Sequence, residues 1–168
     1  MADKMKKSTV QSNLPEKIAA TIRKMADSIP DEDLAGHGRD TGPPHVTVRW
    51  GLEENDVDGI RRACLPHLPF IASLGKTKIF PPSQSSEGAA VVYVEVRHPN
   101  WEKMNEALEH FVKCCPATFD YTPHATVCYV KPEVADKYRD LDTLEGTWWP
   151  VTSVLLSDRD KKETEVKK

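Results

Sequence analysis

The chain has 168 residues, 39% hydrophobic and 29% charged, with a formal net charge of −3, a size at which one domain buries roughly two-thirds of its unfolded surface. No apolar run approaches the ~20 residues that cross a bilayer, and the opening MADKMKKSTVQSN has lysines without the apolar segment of a secretory signal. Membrane insertion and a broad basic surface for long nucleic acid are therefore not expected, and a cytoplasmic location is.

Residues 1–12 read as a flexible polar tail, and 13–168 as a single domain. Leu14, Ile18, Ile22 and Met25 recur at helical spacing, with Pro15 suited to a first turn and Pro30 ending the helix. Three glycines, two prolines and four acids in 31–44 predict a loop. HVTVRWGL alternates as a strand, and Asn55 or Asp56 caps a short helix to about Cys64. FIASLGKTKIF is extended with a break at Gly75, and AAVVYVEV is a buried strand. Asn100 caps a helix whose apolar face is Trp101, Met104, Leu108 and Phe111. PHATVCYV is a strand, Pro132 opens a helix bearing Val134, Tyr138 and Leu141, and WWPVTSVLLSD with RDKKETEV reads as a closing hairpin.

The four cysteines, Cys64, Cys114, Cys115 and Cys128, have no CxxC spacing and read as reduced thiols. His110 and Cys114 lie one helical turn apart, but with no second pair they read as a helix face, so no metal or other cofactor is expected.

One pattern is written twice: PPHVTVRW at 43–50 and TPHATVCY at 122–129. With 6 His, 12 Thr, 13 Pro and 15 Val in 168 positions, chance gives roughly 0.003 Pro-His-x-Thr-Val matches per chain. Aligned on His45 and His124, each half runs strand then helix, which suggests two similar lobes. Strand parity puts His45 with Thr47, and His124 with Thr126, on one face. The same parity sends Trp50 and Tyr129 to the core face and leaves Arg49 and Cys128 on the histidine face. Two imidazoles titrating near ~6.5 are the groups needed to take a proton from an attacking hydroxyl while giving one to a leaving oxygen. Threonine hydroxyls beside them can hold a phosphate in line. Such a site needs no metal.

Paired His-x-Thr motifs on strands of two related lobes resemble the two-histidine (2H) phosphoesterase superfamily. GRDTGPPHVTVRWGL and YTPHATVCYVKPE resemble most its phage anti-CBASS branch, which cleaves cyclic oligonucleotide messengers of bacterial immunity. Ala125, where a larger β-branched residue is common, and Trp50, where Tyr is frequent, are modest departures. The resemblance implies an α+β fold with two small antiparallel sheets flanking a central cleft and helices packed outside. It also implies catalytic His45 and His124, phosphate-binding Thr47 and Thr126, and, for a phage protein, the host cytoplasm.

Around the motifs, Arg39 could swing a guanidinium to a phosphate. Tyr121 could stack on a base or line the cleft. Trp148 and Trp149 face opposite ways on a strand, one toward the core and one free to stack on a base. By resemblance, Glu145 and one of these tryptophans grip the base. The expected substrate is a cyclic oligonucleotide or a short RNA-like molecule. The alternatives are a 2′,3′-cyclic phosphate, a 2′–5′ linkage, or a module that sequesters a nucleotide uncut. Which histidine is the base, the base and ring-size preference, the product, the source and the oligomeric state stay open.

Overall fold

The computed structural model describes residues 7–40 and 42–168. Nine strands and three α-helices run β1 Ser8–Asn13, α1 Glu16–Asp27, β2 Leu34–Arg39, β3 His45–Leu52, α2 Val57–Cys64, β4 Phe70–Phe80, β5 Ala90–Arg97, α3 Pro99–Phe111, β6 His124–Val130, β7 Trp148–Val151, β8 Ser153–Ser157 and β9 Glu163–Lys167. All strand pairs are antiparallel, in the order β7-β4-β5-β6-β3-β1-β8-β9, with β2 on the other part of β6. The α+β class and the two sheet-built lobes are as expected. The lobes are not separate sheets, however. Lobe A (β3, β1, β8, β9) and lobe B (β6, β5, β4, β7, β2) are joined through the single register pair Val46↔Ala125, next to both histidines.

Several elements differ from the expectation. Residues 8–12 are not a tail: β1 lies between β3 and β8 with Val10 fully buried, and residues 1–6 lie outside the described residues. The expected loop at 31–44 contains β2, whose pairs Leu34↔Val130 and Arg39↔Cys128 leave the segment between them bowed away from β6. Gly36, at φ +55°, makes the bow, and a Cβ there would sit 2.6 Å from Ser86 O. His98, not Asn100, caps α3, accepting from Asn100 N at 3.0 Å. Phe111 is 44% exposed at the end of α3, and Cys114 lies beyond that helix, bridged to Leu52, so His110 and Cys114 do not share a helix face. Pro132–Tyr138 is a 3-10 helix that stops short of Leu141. β7 pairs with β4 in lobe B while β8 and β9 form the hairpin in lobe A. The chain therefore changes lobes at Thr152.

One continuous core runs beneath both lobes, from Val10, Val46 and Val48 to Val92, Val94 and Val130, and includes Trp101 of α3. Each such aliphatic side chain stabilises by about 1.5–3 kcal/mol when fully buried. This packing fixes the faces of β3 and β6 on which the histidines stand.

Candidate active site

The two motifs are built alike down to the imidazole. His45 Nδ1 lies 2.9 Å from Pro43 O and His124 Nδ1 lies 2.7 Å from Thr122 O. A carbonyl can only accept, so each Nδ1 carries the hydrogen and each neutral ring presents an unprotonated Nε2. Pro44 and Pro123 stand between histidine and carbonyl. Each proline fixes its own φ near −65° and holds the preceding residue extended, so the proline of the motif orients the histidine.

Both strands then break their alternation at the same place. On β3 the register steps from Gln11↔Thr47 to Val10↔Arg49, and on β6 from Tyr93↔Thr126 to Val92↔Cys128. Each step leaves one extra residue, Val48 or Val127, in a β-bulge. Val48 and Arg49 are both buried, as are Val127 and Cys128, while Trp50 and Tyr129 return to the histidine face. Strict parity therefore assigned these four residues wrongly: Arg49 and Cys128 face the core, Trp50 is 60% exposed, and Tyr129 is half-buried. The buried Arg49 guanidinium donates to Cys115 O at 2.8 Å and pairs with Glu109 at 3.6 Å.

His45, Thr47, His124 and Thr126 line one cavity of about 440 Å³, open to solvent, with Ile22, Arg23 and Ala26 of α1 and Asp40, Gly42, Pro44 and Val127. His124 is packed edge-on by Phe80 (4.9 Å between ring centroids) and Tyr93 (5.4 Å), which stack on each other at 3.9 Å. Burial holds the His124 imidazole below its ordinary pKa, and the charge of His45 pushes the same way, against the Thr122 carbonyl bond.

The remaining candidates lie outside this cavity. Arg39 is committed to the end of α1, donating to Ala26 O and Ile29 O and pairing with Asp31 at 2.7 Å; it satisfies helix-end carbonyls there. Tyr121 donates from Oη to Thr47 O at 2.9 Å, and burial raises its phenol pKa. It ties the segment before β6 to β3. Trp149 is 3% exposed and Trp148 66%. Trp148 pairs with Ser73, which pairs with Arg97 on the same strand face as Glu95, the partner of His124. Trp148 thus shares the histidine face, three strands or roughly 14 Å from β6. Glu145 is exposed in the turn that leads to it.

Sequence reasoning missed Arg23, Asp40, Phe80, Tyr93 and the placement of Trp50. Tyr93 had a signal, being the one aromatic in a β-branched run and opposite in parity to Val92 and Val94. Arg23 lies beside the apolar stripe of α1 and had none. Among the described residues, no group of three or more His, Cys, Asp or Glu side chains could hold a metal ion.

Two strand-borne His-x-Thr pairs facing one cavity across joined lobes define the two-histidine phosphoesterase class. The chain belongs to the 2′-5′ RNA ligase superfamily, whose pattern matches residues 14–163. No curated protein matches it by sequence. In fold it is similar to TT0787 of Thermus thermophilus (TM-score 0.66, 20% identity, covering 96% of this chain and 94% of that one). It is also similar to E. coli LigT complexed with 3′-AMP (0.60, 15%, 97% and 95%) and to Kluyveromyces marxianus Usb1 with uridine monophosphate (0.61, 11%, 98% and 99%). Among the described residues no helix is long and apolar enough to cross a membrane.

Proposed function

We propose that the chain is a metal-independent phosphodiesterase that cleaves 3′–5′ bonds of cyclic di- and trinucleotide immune messengers, with His124 as base and His45 as acid. The observation that carries the chemistry is the matched pair of backbone-anchored imidazoles in one cavity with a threonine beside each. Burial holds the His124 imidazole below its ordinary pKa, which suits it to accept a proton, and His45 across the cavity is the imidazole left to donate one.

In the proposed step, His124 Nε2 removes the proton of a ribose 2′-OH, and O2′ attacks the adjacent phosphorus. The P–O5′ bond breaks, and His45, entering the step as the imidazolium, gives its Nε2 proton to the departing oxygen and ends neutral. The products are a 2′,3′-cyclic phosphate and a 5′-hydroxyl; water in place of O2′ gives the opened product. Thr47 and Thr126 donate to the non-bridging oxygens as charge builds on them. Acid and base are both side chains, so the proton transfers need no metal.

The cyclic-messenger assignment is supported by the motif resemblance and by the net charge of −3, which disfavours a long polyanion. A second reading keeps the site and changes the substrate to a 2′,3′-cyclic phosphate end or a 2′–5′ linkage. It is favoured by the matched family and by the nucleotides bound to LigT and Usb1. Incubating the protein, with and without EDTA, with cyclic di- and trinucleotides, 2′–5′ oligoadenylates and nucleoside 2′,3′-cyclic phosphates, then resolving the products by chromatography, separates the readings. Turnover of cyclic messengers unaffected by EDTA is the expected result. Turnover only of 2′–5′ or 2′,3′-cyclic substrates selects the second reading, and recovery of every ligand intact leaves a binding module.

A further inference from the structure

The face that carries His124 continues beyond the cavity into a charged cluster. Glu95 is the register partner of His124, but two cations take up its carboxylate. Arg97 Nε donates to Oε1 at 2.7 Å, and Lys78 Nζ pairs with Oε2 at 3.4 Å. The Arg97 guanidinium lies over Gly75, where a Cβ would come within 2.8 Å of Nη2, 3.1 Å of Cζ and 3.2 Å of Nε. Gly75 falls where β4 steps out of register between Leu74 and Thr77, and its missing side chain is the room the guanidinium occupies.

Stability gives little reason for this arrangement. The Arg97 and Lys78 side chains are 53% and 49% exposed, and ion pairs so exposed add little to folding. Only Nε of Arg97 is engaged: among the described residues Nη1 and Nη2 have no hydrogen-bond partner, and Glu145 adds only a longer-range attraction. The free edge of a guanidinium is a two-pronged donor that matches two oxygens of a phosphate. Arg97 is two residues past Glu95 and one strand from β6, so its Cα is about 8 Å from that of His124, on the side away from Thr126. That is the reach of a nucleotide chain from one phosphate to the next.

We propose that Arg97, with Lys78 on the other oxygen of Glu95 adding charge, binds the 5′-phosphodiester of the nucleoside whose 2′-OH attacks. The site then takes substrates with a phosphate on both sides of that ribose and disfavours those with a free 5′-hydroxyl. This rests on the phosphodiesterase reading, with His124 as base. Every ribose of a 3′–5′ cyclic dinucleotide or trinucleotide carries both phosphates, whereas a nucleoside 2′,3′-cyclic phosphate carries one.

The test uses 3′–5′ dinucleotides in which the nucleoside supplying the 2′-OH bears one of three 5′ groups. These are a hydroxyl, a methyl phosphate (a singly charged diester, as in a cyclic messenger) and the uncharged dimethyl phosphate of nearly the same size. The wild type should show a KM roughly tenfold lower for the charged diester than for the other two. Arg97→Ala should lose most of that preference, and Arg97→Lys, which keeps a charge without the fork, should keep part of it. Comparing ligands within one variant cancels the effect of freeing Glu95 beside His124, which acts on all three alike. A preference undiminished in Arg97→Ala, or absent from an active wild type, would overturn the proposal and leave the phosphodiesterase reading standing. If the wild type cleaves none of the three, that reading fails by itself. The same ratios are then read as dissociation constants by isothermal titration calorimetry, with the same outcomes deciding, and absence of all binding overturns both.

Discussion

The two lobes present the same five-residue device in different surroundings. In both, a proline sets a carbonyl against Nδ1, a threonine follows on the same face, and a bulge returns the next aromatic to that face. Around it, lobe B is closed: Phe80 and Tyr93 pack on His124, and His37 covers Tyr129. Lobe A is open, with Trp50 in solvent. Local sequence thus sets the geometry of each imidazole, while the neighbouring strands set its environment. In the proposed step this difference in surroundings favours one imidazole as acceptor and leaves the other as donor.

The largest effect should come from removing either imidazole. His45→Ala and His124→Ala are each expected to lower kcat by at least ~10²–10⁴-fold, measured by single-turnover cleavage of the best substrate from the panel, with unchanged circular dichroism. If one variant keeps most of its activity, the two lobes do not contribute equally to one site. The threonines come next. Thr47→Val and Thr126→Val keep the side-chain shape and remove one donor to the phosphate each, for an expected loss of about 10²-fold in kcat. Equal losses would mean that the phosphate is held symmetrically between lobes.

Much of this device was legible in the sequence, because a motif written twice in one short chain carries its own evidence, and alternation within His-x-Thr needs no tertiary information. What alternation could not show was the bulge. Val48-Arg49 and Val127-Cys128 continue an ordinary β-branched pattern, and only the register against β1 and β5 reveals that two residues oppose one. Arg39 was misread because its partners, Ala26 O, Ile29 O and Asp31, meet it through the return of the chain past α1. β1 was missed because polar residues dominate a segment whose burial comes from strands β3 and β8 on either side.

The asymmetry in surroundings can be weakened directly. Burial is the first cause of the low pKa of His124, so the acidic limb of kcat/KM should fall below the ordinary imidazole value of ~6.5. Activity is lost as pH drops and the base is protonated. Phe80→Ala admits water to the ring, and the limb should move up toward ~6.5. Folding stability shares the sign. A histidine whose folded pKa lies below its unfolded value stabilises fully above the unfolded pKa, and that contribution is lost as pH falls. The acid sensitivity of the melting temperature should therefore shrink in Phe80→Ala. A limb that stays in place would assign the base to lobe A.

The smallest expected effect concerns the wall of the cavity supplied by α1. Arg23 lines the cavity from α1, and its guanidinium holds Glu16 at 2.9 and 3.3 Å. The Arg23 and Glu16 side chains are 45% and 80% exposed, and such surface pairs contribute only about 0–1 kcal/mol. A bound phosphate can therefore draw the guanidinium away from Glu16. Arg23→Ala should raise KM several-fold with a smaller change in kcat, whereas Glu16→Gln, which frees the arginine, should lower KM by up to about fivefold. Both shifts should fade as salt is raised and the charges are screened. If the two substitutions move KM in the same direction, the pair merely braces α1. Opposite directions require that Glu16 and the substrate compete for one guanidinium, which a purely structural pair would not produce.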